Sequence, residues 1–480
     1  MNQKSTPLLS ALISHHNQQP TSFHVPGHKY GRFFPEIGQS YYEKILSIDV
    51  TELTGLDDLH DPSGPIYEAE KLLSNLYDSE RSFFLVNGST VGNLAMVLSV
   101  CEANDIVFVQ RNCHKSIMNA LEIVGARPVF LTPEFESELN VATYLDDETV
   151  IQAFSRYPKG KALILTNPNY YGHTRNLESL ISIAHDYHIP VLVDEAHGAH
   201  FGIGSPFPPS AIQVGADIVI QSAHKTLPAM TMGSYLHFQS SYVSLEKLQF
   251  YLRALQSSSP SYPIMASLDL ARYYVANIME NERENIHQSI KNFTNQIDHI
   301  PQLKLVYAND GNLMQDPLKI TVQSTCQLSG YELQTIFEEK GLYVELSDPF
   351  NILLILPLGV FDYSYQLQNI KDALSYFHPV DSREKYVRDI KNLTLSSEFP
   401  YSYLELKRYK TRKMNIADCE GRLAAQAVTP YPPGIPVLIK GEIVKRESIE
   451  YIMLLKRMGA KIQGFDPDNN MFIFEEQEES

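Results

Sequence analysis

The chain is poor in the features that mark secreted and membrane-spanning proteins. Its 480 residues include four scattered cysteines and no tryptophan, which argues against a disulfide scaffold and suits a reducing compartment. Apolar runs are short: Ile352–Leu356 is closed by Pro357, far below the ~20 residues of a membrane-spanning helix. Residues Met1–Gln19 lack the sustained apolar core of a signal peptide. The sequence therefore predicts a cytoplasmic protein.

Positive charge is also scarce, with 39 Lys and Arg against 56 Asp and Glu, for a net charge of −17. This balance argues against nucleic acid or an anionic membrane as a partner and is compatible with a cationic substrate. Metal-ligand spacing is missing too. Cys113 and His114 are adjacent without further ligands, and His197 and His200 stand three apart rather than four, so we expect no metal.

Apolar strands and helical patterns alternate from Tyr67 to about Phe238. This alternation predicts an α/β fold with a mostly parallel sheet and helices on both faces. A helical stretch from Leu245 to about His299 follows, and then a smaller α+β unit. The predicted strands of the large sheet are Phe83–Val86, Ile106–Val109, Arg127–Leu131, Ala162–Thr166, Val191–Asp194, Ile218–Gln221 and Ser234–Phe238. In the smaller unit, strands are predicted at Leu318–Val322, Tyr343–Leu346 and Ile352–Leu356, with helices at Tyr331–Lys340 and Tyr365–Phe377.

Two consecutive strand ends carry the residues that pyridoxal phosphate chemistry needs. One apolar strand is followed by Ser222-Ala223-His224-Lys225, and the strand before it delivers Asp194 at its carboxyl end. A lysine that binds an aldehyde and an aspartate that pairs with a pyridinium nitrogen are the minimum equipment. Ligands of open α/β sheets bind at such strand ends. Taken alone, Lys225 could equally be a surface lysine, and Asp194 a helix cap or a metal ligand.

A candidate phosphate loop follows the predicted strand Phe83–Val86. The segment Asn87–Asn93 offers the hydroxyls of Ser89 and Thr90, and the free N–H groups of the helix that begins there can bind an anion. It is neither a Walker loop nor a Gly-x-Gly-x-x-Gly loop. An ordinary capped helix is the alternative for the loop by itself. With Asp194 and Lys225, it completes a set of sites for phosphate, ring nitrogen and aldehyde.

With these motifs in view, the chain resembles the ornithine/lysine/arginine decarboxylase family of aspartate-aminotransferase-like (fold type I) pyridoxal phosphate enzymes. It is most similar to the shorter members from Gram-positive bacteria, because it starts close to its first motif and has no receiver-like wing before it. The matching stretches, in order, are Phe23–Lys29, Gly55–Leu59, Asn87–Asn93, Arg111–Ser116, Asp194–His200, Ser222–Leu227 and Tyr431–Pro436.

The resemblance implies a role for each matching residue. Lys225 would bind pyridoxal phosphate covalently, Asp194 would pair with the ring nitrogen, and His114 would stack on the ring and deliver a proton; these three are the expected catalytic residues. Ala196 and His197 would line the ring edge or its other face. The expected phosphate ligands are Ser89, Thr90, Ser222 and His224. Met232, Gln426 and Lys440 depart from the common family pattern, which leaves the substrate open.

The resemblance further implies decarboxylation of a basic L-amino acid to a polyamine precursor, with arginine or lysine favoured and ornithine possible, in a homodimer or a higher homo-oligomer. Asp57, Asp58, Glu345 and Asp348 are candidates to bind the distal cation, unless they are solvated or capping carboxylates. Transamination, side-chain lysis and a non-catalytic, cofactor-binding paralogue are the alternatives. The expected domains are an N-terminal arm (1–60), a cofactor-binding major domain (61–300), a small α+β domain (301–378) and a C-terminal decarboxylase domain (379–480).

Overall fold

The structure is a computed structural model that describes residues 1–308, 310–380, 399–430 and 435–475. Its helices are α1 Pro7–Asn17, α2 Glu36–Leu46, α3 Pro65–Tyr77, α4 Gly88–Val100, α5 Lys115–Val124, α6 Asp147–Arg156, α7 Glu178–Asp186, α8 Ala223–Thr226, α9 Leu245–Leu255, α10 Tyr262–Ala276, α11 Glu280–Asp298, α12 Gly330–Glu339, α13 Ser364–Leu374, α14 Tyr403–Leu406 and α15 Arg446–Arg457. Its strands are β1 Arg81–Leu85, β2 Ile106–Gln110, β3 Arg127–Leu131, β4 Phe135–Glu136, β5 Val141–Ala142, β6 Ala162–Thr166, β7 His173–Thr174, β8 Val191–Asp194, β9 Ile218–Gln221, β10 Ser234–Phe238, β11 Leu303–Leu305, β12 Met314–Gln315, β13 Lys319–Ser324, β14 Leu346–Ser347, β15 Asn351–Ile355, β16 Thr411–Asn415, β17 Thr429–Pro430, β18 Ile462–Gln463 and β19 Asn470–Phe474.

The chain divides into two compact units, and the first is formed by Met1–Val100 with Pro190–Glu280. Its strands follow the order β1–β10–β9–β8, and β8 and β9 run parallel. Every residue of β8, β9 and β10 is buried, as expected for strands that are covered on both faces. Helix α4 contacts all four strands, so the loop that starts this helix is anchored to the sheet.

The second unit comprises Cys101–Ile189 and Asn281–Ser480. Strands β6, β2 and β3 lie side by side and run parallel. An antiparallel sheet, in the order β11–β13–β15–β14, packs against α12. A separate hydrophobic cluster, which includes Ile416, Val444 and Ile473, forms the core of the C-terminal region. These parts confirm the predicted class, a mixed α/β fold with a mostly parallel central sheet.

Strand direction and helix breaks are where the structure departs from the sequence prediction. Strand β10 lies where we predicted it but runs antiparallel to both β1 and β9. The predicted helical stretch from Leu245 to His299 is three helices, because the Ser-rich segment before Pro260 ends α9 and Asn277 caps α10. The predicted strand Tyr343–Leu346 is wrong except at its last residue, since the two-residue strand β14 begins at Leu346.

The structure leaves two expectations from the sequence untested. The Tyr431–Gly434 portion of the last motif lies outside the described residues, and the four-domain division stays a prediction. Within the described ranges, no helix is both long enough and apolar enough to cross a bilayer.

Candidate active site

Lys225 lies on the single-turn helix α8, directly after β9, in the first unit. Its Nζ is 3.0 Å from Nε2 of His197, which follows the end of β8. The turn is held by backbone bonds: the Lys225 N–H donates to the Ser222 carbonyl (3.1 Å), and the His224 N–H to the Gly233 carbonyl (3.2 Å). The His224 ring nitrogen Nδ1 also lies 3.0 Å from that Gly233 oxygen. The lysine is only partly buried.

Three serine hydroxyls converge beside this turn. Ser89 Oγ, in the first turn of α4, lies 2.7 Å from Ser222 Oγ and 3.2 Å from Ser234 Oγ. All three serines are buried, although they come from elements far apart in sequence. The loop into α4 needs Gly88, whose φ of +76° falls in the region that L-residues avoid; its N–H donates to the Met232 carbonyl at 2.9 Å.

Asp194 ends β8 with a buried carboxylate. Asn93 donates its side-chain amide to Oδ2 at 2.9 Å, and the Ala196 N–H donates to Oδ1 at 3.1 Å. Asn93 lies one helical turn after Ser89 on α4, so both side chains are on the same face of that helix. One helix face therefore positions both the hydroxyl cluster and the carboxylate.

A second buried polar network lies in the first unit next to these residues in sequence. Glu195, fully buried, accepts hydrogen bonds from Ser210 Oγ (2.6 Å), the Ala211 N–H (2.8 Å) and Gln221 Nε2 (2.7 Å). Gln221 Oε1 is 3.0 Å from Nε2 of His237. Burial raises the pKa of Glu195 to about 7 and lowers the pKa of His237 to about 3. His237 is therefore neutral, and Glu195 titrates near neutral pH.

His114 belongs to the second unit and is the N-cap of α5. Its Nδ1 accepts a hydrogen bond from the Ser116 N–H at 3.2 Å and lies 2.8 Å from Ser116 Oγ. A ring nitrogen that accepts from a backbone N–H carries no proton, so the neutral ring holds its proton on Nε2. The preceding loop is fixed by Arg111, whose Nη2 pairs with Glu442 at 2.9 Å.

The first-unit residues fit a phosphorylated pyridine aldehyde. The Ser89, Ser222 and Ser234 hydroxyls can donate to a phosphate, and the Thr226 hydroxyl is buried with no hydrogen-bond partner among the described residues. A Cβ at Gly88 would meet no atom within 4 Å, so there is open space where the helix begins. Asp194 supplies a buried anion for a ring nitrogen, and Lys225 supplies the amine for an aldehyde.

Comparison with known proteins identifies, over nearly the whole chain, the same family that the sequence motifs indicated. Residues 6–310 match the description "Orn/Lys/Arg decarboxylase, major domain", and residues 386–479 match "Orn/Lys/Arg decarboxylase, C-terminal domain". The chain belongs to the Orn/Lys/Arg decarboxylase family. The resemblance drawn from its motifs is thereby confirmed, as is the expectation of an enzyme of the decarboxylase class.

This chain aligns with individual relatives over almost its full length. It is 46% identical to YaaO of Bacillus subtilis, over 98% of each chain. It is 34% identical to an arginine decarboxylase of the same species, over 97% of this chain and 96% of the relative. The solved lysine decarboxylase A of Pseudomonas aeruginosa superposes with a TM-score of 0.80 at 21% identity, over 98% of this chain and 80% of the other.

The structure brings together most, but not all, of the site residues expected for this decarboxylase-family chain. Ser89 and Ser222 belong to the serine cluster of the first unit, and Asp194 accepts from Asn93 of the helix that carries Ser89, whereas the Thr90 side chain is exposed. Four polar residues of these networks were not predicted from the sequence: Asn93, Ser234, Glu195 and Gln221. Only Asn93 carried a signal, its helical spacing from Ser89.

The four acidic candidates for substrate binding have different surroundings. Asp57 is a capping residue: its carboxylate accepts from five backbone N–H groups around the start of α3. Asp58 accepts from the His60 N–H at 2.8 Å. Asp348 accepts at both oxygens, including from the Tyr171 hydroxyl and from Asn351 Nδ2 at 2.7 Å. Glu345 is exposed.

Proposed function

We propose that this chain removes the α-carboxylate of a basic L-amino acid, using pyridoxal phosphate bound at Lys225. Arginine or lysine is favoured, and ornithine is possible. The observation that carries the proposal is the convergence, within one unit, of the Lys225 amine, the Asp194 carboxylate and the buried serine cluster at neighbouring strand ends. Membership of the family supports the same chemistry.

The buried polar groups of the first unit support the proposed binding of the cofactor. The phosphate would be bound by Ser89, Ser222 and His224, together with backbone N–H groups in the first turn of α4, where Thr90 lies. Hydroxyls and free N–H groups can donate hydrogen bonds to an anion without adding charge. Asp194 would keep the ring nitrogen protonated, and its partners Asn93 and Ala196 hold the carboxylate in one orientation. When bound, pyridoxal phosphate accepts the electron pair left on Cα as carbon dioxide departs.

Two histidines would transfer protons during the reaction. His197 lies within hydrogen-bond distance of the Lys225 amine, so it could take a proton from Nζ or return one to it. His114 carries its ring proton on Nε2, because Nδ1 is occupied by Ser116. We assign it the delivery of that proton to Cα and the shielding of the ring face from water. Ala196 and His197 would lie along the ring edge or its second face.

Relatives and composition guide the remaining assignments. A relative that is 34% identical is named arginine decarboxylase, and the solved neighbour at TM-score 0.80 is a lysine decarboxylase. The product would be a polyamine precursor. We also propose that the protein works in the cytoplasm, in keeping with its four scattered cysteines, which form no disulfide. A homodimer or higher homo-oligomer is proposed from the family resemblance.

Turnover of single amino acids tests the proposal. The purified protein, supplied with pyridoxal phosphate, is incubated with arginine, lysine or ornithine, and carbon dioxide and the matching amine are measured. One substrate should give both in equal amounts. Lys225→Ala should lower the rate by at least ~1,000-fold, whereas Lys71→Ala, at an exposed position on α3, should leave it unchanged. A keto acid would instead show transamination, and no turnover with the cofactor retained would show a non-catalytic paralogue.

A further inference from the structure

The second unit contains a partly open cavity of about 230 Å³ that the proposed function does not use. It lies at the ends of β2, β3 and β6 and extends to the loop around Asp348. Aromatic side chains make up much of its wall: Phe135, Tyr170, Tyr171, Tyr331, Phe350 and Tyr451. Such a wall suits a ligand with an apolar chain or a cation that packs on rings.

Three residues that line this cavity hold buried polar atoms without a hydrogen-bond partner among the described residues. They are Nε of Arg111, Oγ1 of Thr132 and Oδ1 of Asn140. Arg111 is only 2% exposed, and its two terminal nitrogens are already used by Glu442 and by the Pro436 and Val437 carbonyls. An unpaired buried polar atom is costly. One donor, one acceptor and one hydroxyl left unpaired around the same space indicate a polar ligand.

The fixed charges of the wall define the charge of that ligand. The Arg111 guanidinium and the Glu442 carboxylate cancel each other, since they pair at 2.9 Å. Among the described lining residues, the carboxyl of Asp348 remains. Burial raises its pKa and the hydrogen bonds that it accepts lower it, so an adjacent cation would stabilise its charged form. Tyr171, Tyr331 and Tyr451 stay neutral, because burial and the nearby Asp348 raise the pKa of each phenol. A ligand of net charge +1 that also offers an acceptor to Arg111 would complement this wall.

We propose that the cavity is a non-covalent binding site for a free basic L-amino acid. Its carboxylate would accept from the Arg111 Nε–H and the Thr132 hydroxyl, and its cationic groups would lie towards Asn140 Oδ1 and the Asp348 side of the wall. The choice of arginine or lysine over other cationic zwitterions rests on the proposed function. An arginine-held carboxylate is stabilised before it reacts, which opposes decarboxylation. The cavity is therefore a site for sensing the amino acid rather than for converting it.

Calorimetric titration of the borohydride-reduced holoenzyme tests this site, because the reduced protein cannot turn over its substrate. The probes are arginine, lysine, citrulline and agmatine. Citrulline replaces the guanidinium of arginine with a neutral urea, and agmatine lacks the carboxylate. Arginine or lysine should bind once per chain. The two analogues of arginine should bind at least ~10-fold more weakly than arginine, because each loses a charge-assisted contact.

A matched pair of variants localises the binding. Thr132→Val removes the cavity hydroxyl and should weaken binding ~3- to 10-fold, the loss expected for one hydrogen bond. Thr321→Val removes another buried, unpartnered hydroxyl, on β13 and outside the cavity wall, and should change nothing. Equal affinities for the two variants, or no binding at all, would overturn this site. Either result would leave the decarboxylation assay unaffected, so the two proposals fail separately.

Discussion

At the scale of single residues, the candidate site depends on a hydroxyl that the sequence did not single out. Ser234, at the start of β10, completes the cluster with Ser89. Ser234→Ala should weaken pyridoxal phosphate binding to the apoprotein about 3- to 10-fold, because one phosphate donor is lost. Equilibrium dialysis of the apoprotein against the cofactor measures this. Ser99→Ala is the matched control: Ser99 is also buried but donates to the Met96 carbonyl of its own helix. Equal affinities would remove Ser234 from the site.

The raised pKa of Glu195 should make the free energy of unfolding fall as pH rises towards 7. Its pKa is raised by burial to about 7 in the folded state, against about 4.5 when unfolded, so the folded protein binds this proton more tightly. The resulting stabilisation is present at acidic pH and is lost as pH rises towards 7, by about 3 kcal/mol in total. His237, with its pKa lowered to about 3, changes stability in the opposite direction below its unfolded pKa, so the wild-type curve alone mixes the two.

Comparison with Glu195→Gln isolates the contribution of Glu195, because His237 is present in both proteins. The free energy of unfolding is measured by urea titration between pH 5 and 8. The wild type should lose stability relative to the variant as pH rises and should level off above pH 7. A difference that does not change with pH would show that Glu195 is ionised throughout.

Site residues could be predicted from the sequence where a local pattern marks them, but not where they meet only through the pairing of distant strands. Asp194 ends an apolar strand, and Ser89 and Lys225 each stand four residues after the end of one, so the rule that ligands bind at strand ends found them. Ser234 stands at the start of its strand. Nothing local indicates that β10 reverses direction and brings its first residue to the same edge. Gln221 and Glu195 read as ordinary strand-end residues, because a buried network is visible only once the strands are paired.

At the scale of elements, the approach of α4 to the sheet is set by two glycines with different roles. A Cβ at Gly92 would lie 2.7 Å from Leu85 Cδ1 and 3.0 Å from Ile220 Cδ1. Gly92→Ala should therefore push the helix away from β1 and β9, cost about 1–3 kcal/mol of unfolding free energy, and weaken cofactor binding because Ser89 and Asn93 move with the helix.

Gly88→Ala separates conformational strain from crowding. Its Cβ would meet nothing within 4 Å, but its φ of +76° is unfavourable for alanine, so we expect a loss of only about 1 kcal/mol. Denaturant unfolding and cofactor dialysis on both variants provide the comparison. A Gly92→Ala protein as stable as the Gly88→Ala protein would contradict the tight contact.

Element positions were predictable where the apolar pattern is strong. The strands β3, β6, β8, β9 and β10 have the predicted bounds, since each is a short segment rich in apolar and aromatic residues. Strand direction was not predictable, because an apolar run has the same composition in both directions. The breaks between α9, α10 and α11 were overlooked because each is only a few residues long.

At the scale of the whole molecule, a buried ion pair ties the loop before His114 to the C-terminal region. Arg111 and Glu442 are both almost fully buried, and both Glu442 oxygens accept from the guanidinium. Glu442→Ala should cost about 3–5 kcal/mol, because it leaves a buried cation without its partner. Urea unfolding gives the magnitude, and limited proteolysis within residues 399–475 reports the location.

The control for this prediction is a more exposed ion pair in the same unit. Glu122 contacts Lys440, and both side chains are partly exposed. Glu122→Ala should cost at most about 1 kcal/mol. If the two variants lost equal stability, the Arg111–Glu442 pair would not be a major link between these segments.

The proposed decarboxylation depends on the covalent binding of pyridoxal phosphate at Lys225. Borohydride reduction of the cofactor-loaded protein, followed by peptide mass mapping, measures this directly. We predict one pyridoxyl group per chain, on the peptide that contains Lys225, and none on the Lys225→Ala protein. A pyridoxyl group on another lysine, or an unmodified Lys225 peptide after reduction, would contradict the account.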